Sequence, residues 1–112
     1  MAMAKITVNG YRGDNAGFSV TVLQGGQPAD FSNAVVRSEL RSEPDGALLG
    51  EWGVTVNGNQ LSFALLPKET EQLPTTSRFD IEVDWSGDRT QVQTIAVGVL
   101  TCPEDITLPA TV

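Results

Sequence analysis

Apolar and polar residues alternate with a period of two along most of this chain. Phe18, Val20 and Val22 are separated by Ser19 and Thr21, and Leu61, Phe63 and Leu65 by Ser62 and Ala64. The clearest run is Phe79, Ile81, Val83 and Trp85, interleaved with Asp80, Glu82 and Asp84. Such alternation turns one row of side chains to a core and the other to water, as in a half-buried strand. It predicts strands near 4–9, 17–23, 33–42, 50–57, 60–66, 77–85 and 89–102. Gly25-Gly26, Pro44-Asp45-Gly46, Asn57-Gly58 and Ser86-Gly87-Asp88 punctuate them. Asn57-Gly58 reads as a type I′ hairpin turn, which needs positive φ at both central residues. Residues 66–74 lack alternation and lie between Pro67 and Pro74, which predicts about one helical turn crossing between sheets. About seven short strands with no amphipathic helix to cover them imply an all-β, antiparallel β-sandwich.

One strand breaks the alternation. In 92–102, Ile95, Val97 and Val99 form one row and Ala96, Leu100 and Cys102 the other, so both faces are apolar. Two readings follow: a central strand whose second face is covered from within, or a strand whose outer face docks a partner.

Composition narrows the function. The chain has 112 residues, with 14 acidic and 7 basic side chains, no histidine and a single cysteine. That length suits one domain, expected over 1–102 with an extended C-terminal arm over 103–112. The formal charge of −7 argues against nucleic acid as a partner. The longest apolar run, 95–100, falls far short of the roughly 20 residues that span a bilayer. With no secretory h-region either, the protein is expected to be made in the cytoplasm, with no membrane partner.

Candidate chemistry is sparse. Without histidine the commonest general base and metal ligand is missing, and Cys102 alone makes neither a disulfide nor a zinc site. Asp80, Glu82 and Asp84 form a same-face ladder followed by Asp88. A carboxylate pair catalyses only when a low-dielectric pocket raises one of the two, and a calcium site needs a denser set of oxygens. The ladder therefore reads as a solvated face, and no catalytic residue, metal or cofactor is expected. Arg12-Gly13-Asp14 spells an adhesion tripeptide, yet it is also ordinary turn chemistry. Trp85 continues a core row. Trp52 is undecided between capping the sandwich and standing exposed for a sugar or a neighbouring subunit.

The second half of the chain carries a wider pattern: Phe31-Ser-Asn-Ala-Val-Val-Arg37, Leu61-Ser-Phe-Ala-Leu-Leu-Pro67 with Glu69-Thr70 and Leu73, Arg78-Phe-Asp-Ile-Glu-Val-Asp84, and Gly98-Val-Leu-Thr-Cys-Pro-Glu-Asp-Ile-Thr107. Over about 17–107 it resembles the immunoglobulin-like β-sandwich domains of bacteriophage virion proteins. It is similar to the N-terminal domain of baseplate upper proteins and to small β-sandwich structural proteins of actinobacterial phages. Phe79-Asp80-Ile81, Gly98, Leu100 and Asp105-Ile106-Thr107 fall on the places of the family pattern. The large baseplate proteins carry further helical and receptor-binding parts, so a small accessory component is the closer expectation.

The resemblance implies an immunoglobulin-like fold and a non-enzymatic structural role in the virion, as capsid decoration or as a tail or baseplate component. Partners would be other phage structural proteins, with copies of the chain forming a homo-oligomer on the particle. The residues expected to bind them are Ile95, Val97, Val99, Trp52, Ile6, Val8 and Ile106, on the 92–100 face and the ends 1–8 and 103–112. The alternative is a carbohydrate-binding or host-adhesion module, with Trp52 and Tyr11 exposed beside Asn57, Asn59 and Gln60.

Overall fold

The computed structural model describes residues 4–42 and 46–103. The described residues form eleven strands and one helical turn. In order these are β1 (Ala4–Asn9), β2 (Ala16–Thr21), β3 (Leu23–Gln24), β4 (Gln27–Pro28), β5 (Val35–Arg37), β6 (Glu39–Ser42), β7 (Leu48–Glu51), β8 (Gly53–Asn57), β9 (Gln60–Leu65), α1 (Pro67–Thr70), β10 (Thr76–Asp84) and β11 (Val92–Thr101). The larger sheet has the order β1-β11-β10-β6-β7, with β5 beside β6 on the same flank of β10. The smaller sheet is β2-β9-β8, and β3-β4 is a separate hairpin.

All pairings are antiparallel except β1 on β11, which is parallel. An N-terminal strand parallel to the last one, a second, ninth and eighth strand forming the facing sheet, and a helical turn at the crossover are the connectivity of an immunoglobulin-like sandwich. The expected fold class is therefore present.

The core fills the space between the sheets. Leu40, Leu61, Phe63, Ile81, Val83, Leu100 and Cys102 are almost wholly excluded from water. Phe18 stacks on Phe63 with centroids 4.6 Å apart and meets the edge of Trp52 at 5.0 Å.

Several predicted strands are subdivided, each for a local reason. The 33–42 stretch breaks at Ser38, which is buried and donates its hydroxyl to the Asp80 carbonyl, while its own carbonyl accepts from Trp52 N–H at 2.9 Å. The 50–57 stretch breaks at Trp52, where the chain leaves the larger sheet for the smaller one. The hairpin at 57–60 also differs from expectation. Asn57 pairs with Gln60, so the two-residue loop is Gly58-Asn59. Only Gly58 takes positive φ there, as a type II′ connection requires. The type I′ pattern, positive φ at both central residues, appears at Gly25-Gly26. The predicted helical turn is present, with Pro67 in its first turn and the Glu69 carboxylate accepting from Leu66 N–H at 2.8 Å.

Candidate protein-binding face

Register across the larger sheet defines its outer face row by row. Val35, Asp84 and Val92 form one row, and Arg37, Glu82 and Thr94 the next. Asp80, Val97 and Lys5 follow, then Arg41, Arg78, Val99 and Thr7. On the other surface of the same strands, Leu40, Phe79, Ile81 and Leu100 enter the core. An open groove of about 690 Å³ crosses the outer face from Lys5 and Thr7 on β1, over Val97 and Val99, to Glu39 and Arg41 on β6.

Not every residue expected on this face lies there. Val97 is 37% exposed and Val99 is half-buried, and both line the groove. Ile95 is buried in the core at 8% exposure. The register explains this: Ile81 faces Ala96 while Glu82 faces Thr94, so Ile95 is the extra residue of a β-bulge. A bulge resets the alternation of its strand, and a strict period of two therefore misplaces Ile95. The strand's two apolar faces are thus explained in part by burial and in part by Val97, exposed, and Val99, half-buried, on the groove face.

Val8 is also core, at 6% exposure, and Ile6 is half-buried against the core. Trp52 is 3% exposed and packs on Phe18 and Phe79, so it presents no ring to a sugar or a partner. Trp85 is half-buried and stacks on Phe31 at 5.0 Å, at the rim of the core. Ile106 and the 104–112 part of the arm lie outside the described residues.

The acidic ladder divides into three different environments. Asp80 is exposed on the groove face. Partial burial raises its pKa, Glu82 and Glu39 raise it further, and Arg41 opposes them. Glu82 pairs with Arg89 at 3.1 Å. Asp84 is buried and caps its own hairpin: its carboxylate accepts from Gly87 N–H at 3.1 Å and Arg89 N–H at 2.8 Å. Arg89 can therefore hold a positive φ, rare outside glycine. Asp88 in that turn accepts from the Ser86 and Thr90 hydroxyls, which lower its pKa to about 2. Glu82, Asp84 and Asp88 are committed to turn architecture and a surface pair. No group of metal-ligating side chains occurs among the described residues.

The adhesion-like tripeptide is likewise built into the fold. Thr70, fully buried at the end of α1, accepts from Gly13 N–H at 3.0 Å. Its hydroxyl proton lies between the carbonyls of Asp14, at 2.8 Å, and Pro67, at 3.0 Å. Arg12 N–H donates to the Pro103 carbonyl at 2.9 Å. Burial raises the pKa of Cys102, against a smaller opposing pull from Arg12, which describes an inert core thiol.

One feature of the face escaped a reading centred on apolar residues. Of the 7 basic residues, Lys5, Arg37, Arg41, Arg78 and Arg89 belong to this face or its rim. Lys5, Arg41 and Arg78 line the groove with Val97 and Val99, interleaved with Glu39, Asp80 and Glu82, while Arg37 and Arg89 lie farther along the sheet in ion pairs with Glu51 and Glu82. Exposed Val35, Leu48, Val92 and Val97 fall on the same sheet. The alternation of Arg37, Glu39 and Arg41 with Val36, Ser38 and Leu40 carried that signal in the sequence.

No protein-family profile matches the chain, and no curated protein does. Among solved structures, the chain is similar to one in the crystal structure of the ZIG-8–RIG-5 IG1–IG1 heterodimer, in its monoclinic form. The identity is 15%, the match covers 90% of this chain and 82% of that one, and the TM-score is 0.43.

Proposed function

We propose that this domain is a non-enzymatic binding module whose larger-sheet outer face docks another protein, and that it serves as a structural component of a bacteriophage particle. The observation that carries the docking reading is the groove face itself. Val97, exposed, and Val99, half-buried, form a small apolar centre there, edged by Lys5, Arg41 and Arg78 and by Glu39, Asp80 and Glu82. An apolar centre with a polar rim that includes arginine is the composition of a protein interface. The virion assignment rests on the sequence resemblance over 17–107, and it makes capsid or tail proteins the partners. Many copies on a symmetric particle would supply avidity to a modest contact.

The carbohydrate reading loses its platform, because Trp52 is buried between Phe18 and Phe79. The assignment is tested by co-sedimentation of the purified chain with phage capsids and, separately, with tails that lack it. Saturable binding to one of the two supports it. Binding to neither, with a glycan array positive, would overturn it.

A further inference from the structure

The two sheets treat their edges differently. The larger sheet ends on β1, which carries Lys5, and on β7, which is four residues long, carries Glu51 and has a register shift opposite Leu40/Arg41. Charge, shortness and irregularity are the devices that stop an edge strand from pairing with another chain. The smaller sheet ends on β2 and on β8, neither of which uses charge or proline, and β8, Gly53-Val-Thr-Val-Asn57, is the edge that leaves an inward valine exposed. Its five-residue ladder to β9 is unbroken. Val56 is 45% exposed and Val54 half-buried, so the inward row of this strand is only partly covered.

The outer face behind that edge is uncharged as well. Its three rows are Gly17–Ala64–Gly53, Ser19–Ser62–Thr55 and Thr21–Gln60–Asn57. Two copies that each carry a formal charge of −7 repel wherever their acidic surfaces meet. The smaller sheet is where neither presents a charge.

We propose that β8 is a self-association edge: two copies pair their β8 strands antiparallel about a two-fold axis at Thr55, joining the smaller sheets into one six-stranded sheet. Antiparallel partners directly opposite each other share a face, and centring the axis on Thr55 is the register that sets the two valines of one copy against those of the other. Thr55 faces the partner copy's Thr55, and Val54 faces the partner copy's Val56 on both sides of the axis. The half-covered valines thereby cover one another. On the outer face the threonine pair extends a polar row that already exists within the chain, where the Ser19 and Ser62 hydroxyls meet at 3.1 Å. Valine–valine and threonine–threonine pairs are favourable cross-strand neighbours. The contact is isologous, so it closes at two copies. It leaves the groove face free, so one particle component could hold both a copy of itself and a different protein.

The test is sedimentation equilibrium of the wild-type chain, Val56→Lys, Thr55→Lys and Val97→Lys, with thermal melts to confirm folding. Wild type and Val97→Lys are expected to dimerise alike. The two β8 variants should stay folded and weaken dimerisation about tenfold or more, because a lysine at the edge removes packing and adds like charges at the axis. Thr55→Cys should oxidise to a disulfide-linked dimer while Ser62→Cys should not. A wild-type chain that stays monomeric, a dimer that Thr55→Lys leaves intact, or open-ended polymers in place of dimers would each overturn the proposal.

Discussion

The ring of Phe79 lies against the bare α-carbon of Gly98, its directly opposed partner across β10 and β11. A β-carbon added at Gly98 would fall inside contact distance of three ring atoms. The ring has no room to yield, because Phe18 and Trp52 each stand with their centroids 5.4 Å from it. Gly98→Ala is therefore expected to destabilise the domain by about 1–3 kcal/mol, as overpacking of a filled core does. Urea titration measures this; a change within error of zero would mean that the ring does not cover the glycine.

Thr70 makes a second prediction. Its hydroxyl ties the 12–14 turn to α1. Thr70→Val keeps its shape and removes its hydroxyl, leaving Gly13 N–H and the Asp14 carbonyl without that partner. Losing part-buried hydrogen bonds of this kind costs about 0.5–1.5 kcal/mol each. Thr70→Ser should recover most of the loss, and equal melting temperatures for Thr70→Val and wild type would contradict the role.

The strand register can be tested at neighbouring positions. Val83 is wholly buried, whereas Glu82 forms a surface pair with Arg89 at 3.1 Å. Val83→Asp places an unpaired charge in the core and should unfold the domain at room temperature. Glu82→Ala should change stability by no more than about 1 kcal/mol. Circular dichroism distinguishes the two, and similar effects from both would show the register to be shifted.

Two carboxylates respond to pH in opposite senses. The raised pKa of Asp80 means that the fold favours its neutral form. That contribution is complete below the ordinary value of 3.8 and is lost as pH rises through the raised value. Asp80→Asn should therefore be more stable than wild type at pH 7, with the difference vanishing below pH 3.8. Asp88, lowered to about 2, contributes above 3.8 and loses that contribution as pH falls through about 2. Carboxyl carbon NMR should place the Asp88 midpoint near 2 and that of Asp80 above 3.8. The reverse order would contradict both environments.

Much of this architecture was legible from alternation alone. The rows Phe79-Ile81-Val83 and Leu61-Phe63-Leu65 enter the core as a period of two demands. Pro67 and Pro74 bracketed the helical turn correctly. What alternation cannot carry is an event that adds or removes one residue from the count. The bulge at Ile95 buries a side chain that parity put outside. Trp52 sits where the chain changes sheets, and only the packing of Phe18 and Phe79 around it decides that it is core. Asp84 shares the parity of Asp80 and Glu82, yet the turn that follows draws it in through the amides of Gly87 and Arg89. The arginines of the groove face were readable from parity, but their grouping needed the strand order β11-β10-β6.

The central claim is that the groove face around Val97 and Val99 binds another protein. Its most direct test is the affinity of wild type, Val97→Lys and Ser19→Lys for whichever of the proposed partners, capsid or tail protein, binds the wild-type chain. Val97 lines the groove, and Ser19 lies on the outer face of the opposite sheet. The account predicts that Val97→Lys abolishes binding with its melting temperature unchanged, while Ser19→Lys binds as wild type does. Wild-type affinity in Val97→Lys, with binding lost in Ser19→Lys, would contradict it.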